Sequence, residues 1–203
     1  MLVYFWSNYS IDILRFKIRR EEQSIRCIVN FINRIFYRFK RLLYMILVGI
    51  IILILTFFGM EFMAWATHKF LMHGLMWYFH KDHHQEEPGF FERNDVFFLI
   101  YAIPSWLCIM LGLMFEIYTA VWIGFGIALY GFTYFMIHDV YIHRRFKWLR
   151  DIDHPYFYAI RKAHKVHHKQ LGKEHGECFG MLLVPKKYYI EAIQTYKRKY
   201  SKK

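Results

Sequence analysis

Residues 96–137 form the longest apolar stretch of the chain and read VFFLIYAIPSWLCIMLGLMFEIYTAVWIGFGIALYGFTYFMI. These 42 residues hold one charged side chain, Glu116. As a single helix they would extend about 63 Å, twice the roughly 30 Å of a hydrocarbon core. The stretch therefore predicts two membrane-spanning helices, 96–115 and 117–137, joined by a tight turn near 112–118.

A third apolar run precedes this stretch. Residues 42–60 contain 19 residues without a charge, close to the length that a membrane span needs. Three such spans are hard to bury within a chain of 203 residues, which disfavours a soluble bundle of buried helices. The sequence predicts an all-α, multi-pass membrane protein with three strong spans and a histidine-rich helical cap that faces the cytoplasm.

Composition and charge agree with a membrane protein. The chain is 56% apolar, and its 28 Lys and Arg residues outnumber its 16 Asp and Glu residues, for a formal net charge of +12. Nucleic-acid binders often carry such a charge, but the long apolar runs argue against that partner, and basic residues beside membrane spans explain the excess. The three cysteines are far apart and form no CxxC pair, so neither a disulfide nor a thiolate metal site is expected.

The segments on either side of the membrane domain are basic. Residues 25–43 carry apolar side chains on one helical face and arginines elsewhere, which is typical of an amphipathic helix lying in the membrane interface. An alternative is that the native chain starts at Met45 and that the preceding segment is not native. We divide the chain into an N-terminal extension (1–44), a membrane domain (45–185) and a basic C-terminal helix or tail (186–203).

Ten of the twelve histidines fall into clusters that repeat one two-part pattern, an HxxxxH pair followed by an HxxHH triplet. The first copy is His68 and His73, then His80, His83 and His84; the second is His138 and His143, then His164, His167 and His168. Residues i, i+3 and i+4 of an α-helix share one face, so each triplet is expected to aim three imidazoles at one point. Residues i and i+5 lie about 140° apart, so each pair is expected at a helix end or a bulge. The hairpin between the two copies crosses the membrane twice, which places all the clusters on one face.

Neutral imidazoles are ligands for first-row transition metals rather than for Mg²⁺ or Ca²⁺, which prefer oxygen. Ten donors exceed the octahedral limit of one ion, so we expect two ions with about five histidines each. Iron is favoured if the reaction uses oxygen, because zinc has no redox step. His154 and His175 lie outside the clusters and are expected to be surface or supporting residues.

Three acidic residues are candidates for orienting the ligand imidazoles. Glu61 lies seven residues before His68, roughly on the same helical face, while Asp82 and Asp139 are direct neighbours of clustered histidines. The alternative for each is a charge near the interface or in solvent.

The clusters and their surroundings resemble the membrane di-iron hydroxylases of the fatty acid hydroxylase superfamily and, within it, the bacterial β-carotene 3-hydroxylases. The resemblance covers roughly residues 45–185. The segments that carry it are EFMAWATHKFLMHG (61–74), WYFHKDHH (77–84), FERND (91–95), YGFTYFMIHDVYIHRR (130–145), AIRKAHKVHHK (159–169) and GKEHGECFGML (172–182).

The resemblance implies a multi-pass enzyme of the cytoplasmic membrane whose ten clustered histidines bind two non-haem irons. Such enzymes use O₂ and two electrons from a reduced ferredoxin or a similar donor, insert one oxygen atom into a C–H bond and release the other as water. The implied substrate is a carotenoid from the bilayer, β-carotene, hydroxylated at C3 of each β-ring through β-cryptoxanthin to zeaxanthin.

The distribution of basic residues predicts the orientation in the membrane. Sixteen Lys and Arg residues follow Ile137, which places the histidine face in the cytoplasm. The nine basic residues that precede the first span would then lie on the opposite side, against the same rule.

Other functions use related patterns. A fatty-acid or sterol hydroxylase or desaturase has similar histidine clusters and differs in its product. A histidine-rich metal transporter would place ionisable ligands within its spans, whereas these histidines cluster outside them. A zinc protease is disfavoured because the sequence contains no HExxH motif.

Overall fold

The computed structural model describes residues 2–85 and 89–201. The regular structure of these residues is helical and includes no strand, which confirms the predicted all-α class. They form six α-helices: α1 (Leu2–Ala66), α2 (Trp77–His84), α3 (Val96–Met114), α4 (Tyr118–Phe135), α5 (Pro155–His167) and α6 (Lys186–Tyr200). A first π-helical segment (Thr67–Leu75) follows α1, a short 3-10 helix (Arg93–Asp95) precedes α3, and a second π-helical segment (Met136–Ile142) follows α4.

The chain divides into two compact units, Met1–Val48 and Gly49–Lys203. In the first unit, apolar side chains of α1 such as Ile32 and Phe36 are exposed. That this segment lies in a membrane interface stays a prediction. The second unit contains the remaining helices and all the clustered histidines.

Within the described part of the chain, three helical stretches are long and apolar enough to cross a membrane: Ile25–Leu75, Arg93–Met114 and Tyr118–Ile142. Many of their apolar side chains are exposed, including Leu55 (67% exposed) and Phe98 (64% exposed). An apolar surface of this extent is suited to lipid rather than to water. The three predicted spans are therefore confirmed.

The turn between α3 and α4 lies where the sequence predicts it. After α3 ends at Met114, Glu116 adopts the left-handed conformation (φ 56°) that reverses the chain. The N–H of Ile117 donates to the carbonyl oxygen of Gly112 (2.8 Å), the bond that closes a Schellman motif. The two helices consequently form a tight hairpin.

Two glycines of α4 allow the spans to approach closely. A Cβ atom at Gly124 would lie 2.6 Å from Cγ1 of Ile109 in α3, and the Ser105 hydroxyl donates to the Gly124 carbonyl oxygen (2.8 Å). A Cβ atom at Gly126 would lie 2.6 Å from Cβ of Thr56 in α1. Helices in lipid associate largely through such close packing, because burial of apolar surface drives little association there.

The cap is built by α5, α6 and the segments that flank them. Small side chains bring the two helices together, since Ala159 and Ala163 of α5 pack with Tyr188 and Ala192 of α6. A second buried cluster joins α5 to the second π-helical segment and to the loop before α6; its members are Ile137, Tyr141, Ile142, Ile160 and Met181. This packing fixes α5, which carries His164 and His167 and is followed directly by His168, beside the membrane hairpin.

Candidate metal centre

Nine of the clustered histidines meet in two groups whose ligand nitrogens lie within 4.8 Å of one another. The first histidine group is His68, His73, His80, His84 and His167, all buried. The second histidine group is His83, His143, His164 and His168. The two groups adjoin, because the ring of His84 stacks on that of His168 with their centroids 4.5 Å apart.

The tenth clustered histidine, His138, lies beside the second group. Its Nε2 atom is 3.1 Å from Nε2 of His83. The two remaining histidines lie elsewhere: His154 caps α5, where its Nδ1 accepts the N–H of Tyr156, and His175 is exposed. The structure thus brings together the ten histidines that the spacing singles out, five on each side if His138 is counted with the second group.

The expectation that each HxxHH triplet aims at one point is wrong. In α2, His80 and His84 belong to the first group while His83 belongs to the second. In α5 the division is reversed, because His167 alone joins the first group. Around the axis of an α-helix, residue i+4 lies about 40° to one side of residue i, and residue i+3 lies about 60° to the opposite side. A helix that lies between two histidine groups can therefore contribute i and i+4 to one group and i+3 to the other.

Both HxxxxH pairs depend on π-helical geometry, which is the form that the expected bulge takes. A π-helix bonds residue i to i+5 and stacks those residues on one face. The N–H of His143 donates to the carbonyl oxygen of His138 (2.9 Å), and their rings lie 4.5 Å apart. The rings of His68 and His73 lie 5.2 Å apart in the first π-helical segment. Gly74 then leaves helical geometry (φ −113°, ψ −114°), which separates this segment from α2.

The outer nitrogens of the first group are all held by neutral oxygen acceptors. Four Nδ1 atoms lie against backbone carbonyl oxygens, and the fifth lies against a side-chain amide oxygen: His68 at Phe179 (3.0 Å), His73 at Lys173 (3.0 Å), His84 at Gln170 (2.8 Å), His167 at Glu177 (2.8 Å) and His80 at Asn94 (2.7 Å). Residues 170–179 therefore act as a carbonyl cradle for the first group.

Two histidines on the second side have carboxylate partners instead. Nδ1 of His83 donates to Glu92 (2.8 Å), and Nδ1 of His138 donates to Asp139 (3.3 Å). Asp139 thus contacts an imidazole, as one of its two predicted roles requires. Neither Glu92 nor Asn94 is assigned a role by the histidine spacing, although both lie in the FERND segment (91–95) that carries part of the family resemblance.

The other two acidic candidates contact no imidazole through the bonds they make. Asp82 is buried, and its carboxylate accepts the backbone N–H of Arg93. Glu61 is also buried; Oε1 accepts three backbone N–H groups, and Oε2 accepts the Tyr130 hydroxyl (2.7 Å). Glu61 therefore holds the chain that follows the carbonyl cradle rather than a ligand ring, because Oε1 faces the loop before α6 and Oε2 faces Tyr130 of α4.

The Nε2 atoms that point into the first group face one another with their lone pairs, an arrangement that needs a cation between them. His73 and His167 both donate their Nδ1–H to backbone carbonyls, which can only accept, so their Nε2 atoms carry lone pairs. These two Nε2 atoms lie 3.2 Å apart. A first-row ion about 2.1 Å from each nitrogen places neighbouring ligands about 3 Å apart, so the residues fit a metal ion.

Burial keeps the imidazoles of α2 and α5 neutral. It lowers the pKa of His84 to about 4, that of His167 to about 3 and that of His80 to about 2. The same desolvation holds the pKa values of His83 and His164 well below the ordinary value of 6.5. Neutral imidazoles are the form that binds metals, so the site is ready for a metal at neutral pH.

Comparison with known proteins decides the family. The fatty acid hydroxylase family matches residues 53–184, which include every clustered histidine and both groups. The chain belongs to the fatty acid hydroxylase family. This membership identifies the protein as a hydroxylating oxidoreductase of membranes whose histidine groups fit a metal site.

Three similar relatives are each named as a hydroxylase of β-carotene. A β-carotene hydroxylase of Pantoea ananas is 38% identical over 135 residues, which cover 66% of this chain and 77% of that protein. A β-carotene hydroxylase of Pseudescherichia vulneris is 35% identical over 149 residues, covering 72% and 83%. A chloroplastic β-carotene 3-hydroxylase of Gentiana lutea is 35% identical over 131 residues, covering 63% and 40%. No solved structure matches this member of the fatty acid hydroxylase family.

Proposed function

We propose that this protein is an O₂-dependent β-carotene 3-hydroxylase that converts β-carotene through β-cryptoxanthin to zeaxanthin. The observation that carries the proposal is the pair of opposed Nε2 atoms of His73 and His167, 3.2 Å apart, which calls for a metal ion. A family of hydroxylases supplies the reaction type, and the names of the bacterial and plant relatives support the substrate.

The proposed centre holds two irons, one in each histidine group. The first iron would be bound by His68, His73, His80, His84 and His167, and the second by His83, His138, His143, His164 and His168. An iron pair bound there would supply the oxygen chemistry in which, with two electrons and two protons, one atom of O₂ enters a C–H bond and the other leaves as water. The electrons would come from a reduced ferredoxin or a similar donor.

The residues around the histidines orient the donors. Asp139 would fix the ring of His138, and the carbonyl cradle would fix four rings of the first group. We assign Asp82 and Glu61 an indirect part, because they hold Arg93 and the loop before α6 rather than a ring. A ligand imidazole whose second nitrogen is held in this way keeps its tautomer and its direction.

Aromatic side chains cover the histidine groups and favour an apolar substrate. The ring of Phe179 lies 5.1–5.4 Å from those of three first-group histidines, and Trp77 lies within 5.9 Å of three. Tyr134 stacks on His138 at 4.9 Å. Such a lining limits water near the centre and suits the hydrocarbon ring of a carotenoid drawn from the bilayer.

The membrane is proposed to be the cytoplasmic one, with the histidine groups facing the cytoplasm. The support is the excess of Lys and Arg after the third span, in the segment that carries α5 and α6. Reduced electron donors are available on that side.

The test is expression in a bacterium that accumulates β-carotene, followed by pigment analysis by HPLC. Zeaxanthin is expected with the intact chain and with His154→Ala, whose ring lies outside both groups. It should be absent with His167→Ala. Unchanged β-carotene in cells whose membranes contain the iron-loaded protein would overturn the carotenoid substrate and direct the search to fatty acids or sterols.

A further inference from the structure

The partners of the outer nitrogens differ in charge between the two histidine groups. The five acceptors around the first group are backbone carbonyls or an amide, all neutral. Beside the second group the acceptors are the carboxylates of Glu92 and Asp139. Although the histidine pattern is repeated in the sequence, the two groups therefore differ in the charge of the groups that surround them.

The carboxylates belong to a larger ionic network. The Arg145 guanidinium donates to Asp139 (2.8 Å) and to both oxygens of Asp95 (2.8 and 3.0 Å). Asp95 in turn accepts the backbone N–H of Glu92 (3.2 Å). The guanidinium thus bonds two carboxylates, and the carboxylate of Glu92 lies on His83 instead. With three carboxylates and one guanidinium, the network keeps a net negative charge next to the second group.

The 3-10 helix that precedes α3 makes the contrast sharpest. Its first residue follows Glu92 and it contains Asn94, so the two acceptors lie two residues apart. They hold two histidines of one helix, α2, at nearly equal distances: Asn94 lies 2.7 Å from His80, and Glu92 lies 2.8 Å from His83. His80 belongs to the first group and His83 to the second, so the charge of the acceptor is the main difference between these two imidazoles.

We propose that the two metal positions are unequal and that the second histidine group binds a divalent metal more tightly because of Glu92 and Asp139. A carboxylate that accepts the outer N–H of an imidazole raises the basicity of the inner nitrogen, and the loss of such a partner typically weakens metal affinity 10–100-fold. A negative network beside the site also attracts the cation. Glu92 and Asp139 are thus positioning residues that act through His83 and His138. This inference rests on the proposed two-metal centre.

The experiment is a Co²⁺ titration of the metal-free full chain in lipid nanodiscs. Binding is followed by the visible absorption of Co²⁺ and by competition with a chelating dye. The intact chain is expected to bind two Co²⁺ in separate steps. His143→Ala should remove the tighter step and His73→Ala the weaker one, which assigns each step to its group.

Two charge variants then test the cause. Glu92→Gln keeps a hydrogen-bond acceptor and removes the charge, so it should weaken the tighter step 10–100-fold and leave the other step unchanged. Asn94→Asp adds a charge at the matching position and should tighten the weaker step. If Glu92→Gln fails to fold, Asn94→Asp decides alone, because it predicts a gain that a structural defect does not produce.

The outcomes separate this inference from the function on which it rests. Two steps of equal affinity in the intact chain, or variants that shift both steps alike, would overturn the inequality and leave the two-metal centre standing. Binding of fewer than two Co²⁺ by the intact chain would overturn the two-metal centre and the inference together.

Discussion

Replacing Glu61 by Ala should loosen the loop that supports the first histidine group. Oε1 of Glu61 accepts the backbone N–H groups of Met181, Leu182 and Leu183 (2.9–3.0 Å), and Oε2 accepts the Tyr130 hydroxyl. The bonds from Met181 and Tyr130 are buried, so the truncation leaves two buried donors without an acceptor.

The cost follows from these contacts. Each buried donor left unsatisfied costs about 1–3 kcal/mol, so Glu61→Ala should destabilise the protein by about 2–6 kcal/mol. A chain of this length loses roughly 2–4 °C of melting temperature per kcal/mol, so a fall of about 4 °C or more is expected. The residues that detach lie next to the carbonyl cradle, and metal occupancy of the first group should fall with them.

Two measurements check this expectation on purified protein in detergent. The melting temperature should fall in Glu61→Ala and fall less in Glu61→Gln, whose amide oxygen still accepts the three N–H groups. Trypsin should cut the variant faster after Lys173, which lies within the cradle. The matched control is Glu191→Gln, since Glu191 pairs with Lys162 at the exposed surface and such pairs contribute only about 0–1 kcal/mol. A Glu61→Ala protein with the melting temperature and digestion pattern of the intact chain would refute the role of Glu61 in holding the loop before α6.

Three further outcomes are expected. Because burial lowers the pKa of His84 to about 4 and that of His167 to about 3, the unfolded chain takes up protons below about pH 6.5 that the folded chain does not. The stability of the metal-free protein should therefore fall by up to about 1.4 kcal/mol per pH unit for each such histidine between about pH 6.5 and pH 4, and a melting temperature that stays constant over this range would contradict the burial argument. Gly124→Ala should destabilise the α3–α4 hairpin by about 1–3 kcal/mol, because its Cβ would lie 2.6 Å from Ile109, whereas Gly131→Ala meets no atom within 4 Å and should melt like the intact chain. Removing bound metal with a chelator should lower the melting temperature, and Fe²⁺ should restore it. The loss of unfolding free energy is about 2.7 kcal/mol where the free metal had been 100-fold above its dissociation constant. A melting temperature that does not change on chelation would count against a metal in the folded state.

Much of this architecture follows from local composition. The apolar stretch 96–137, with Glu116 as its one charged residue, is too long for one span, so a turn was required, and the structure places it at Glu116. The doubled HxxxxH and HxxHH pattern was sufficient to predict ten gathered imidazoles and a count of two sites. These features depend on the length, hydropathy and residue spacing of single segments, and those properties can be read directly from consecutive residues.

The division of the histidines between the two groups required the tertiary structure. Spacing on α2 does not reveal that His83 faces a different centre from His80, because that depends on where α5 and the second π-helical segment pack against it. The π-helical form of the HxxxxH pairs was likewise open, since the sequence required only a departure from regular α-helix.

The partners of the imidazoles were the least predictable part. His73 meets the carbonyl oxygen of Lys173, 100 residues away, and Glu61 meets the N–H of Met181, 120 residues away. Nearly every residue carries a backbone carbonyl and an N–H group, so the pattern of side chains does not indicate which of them will bond to an imidazole or to Glu61. The sequence alone thus determined the class of protein and which ten histidines gather in the candidate metal centre. The packing of distant segments decided how those histidines are divided between the groups, how their rings are oriented and which of them have charged partners.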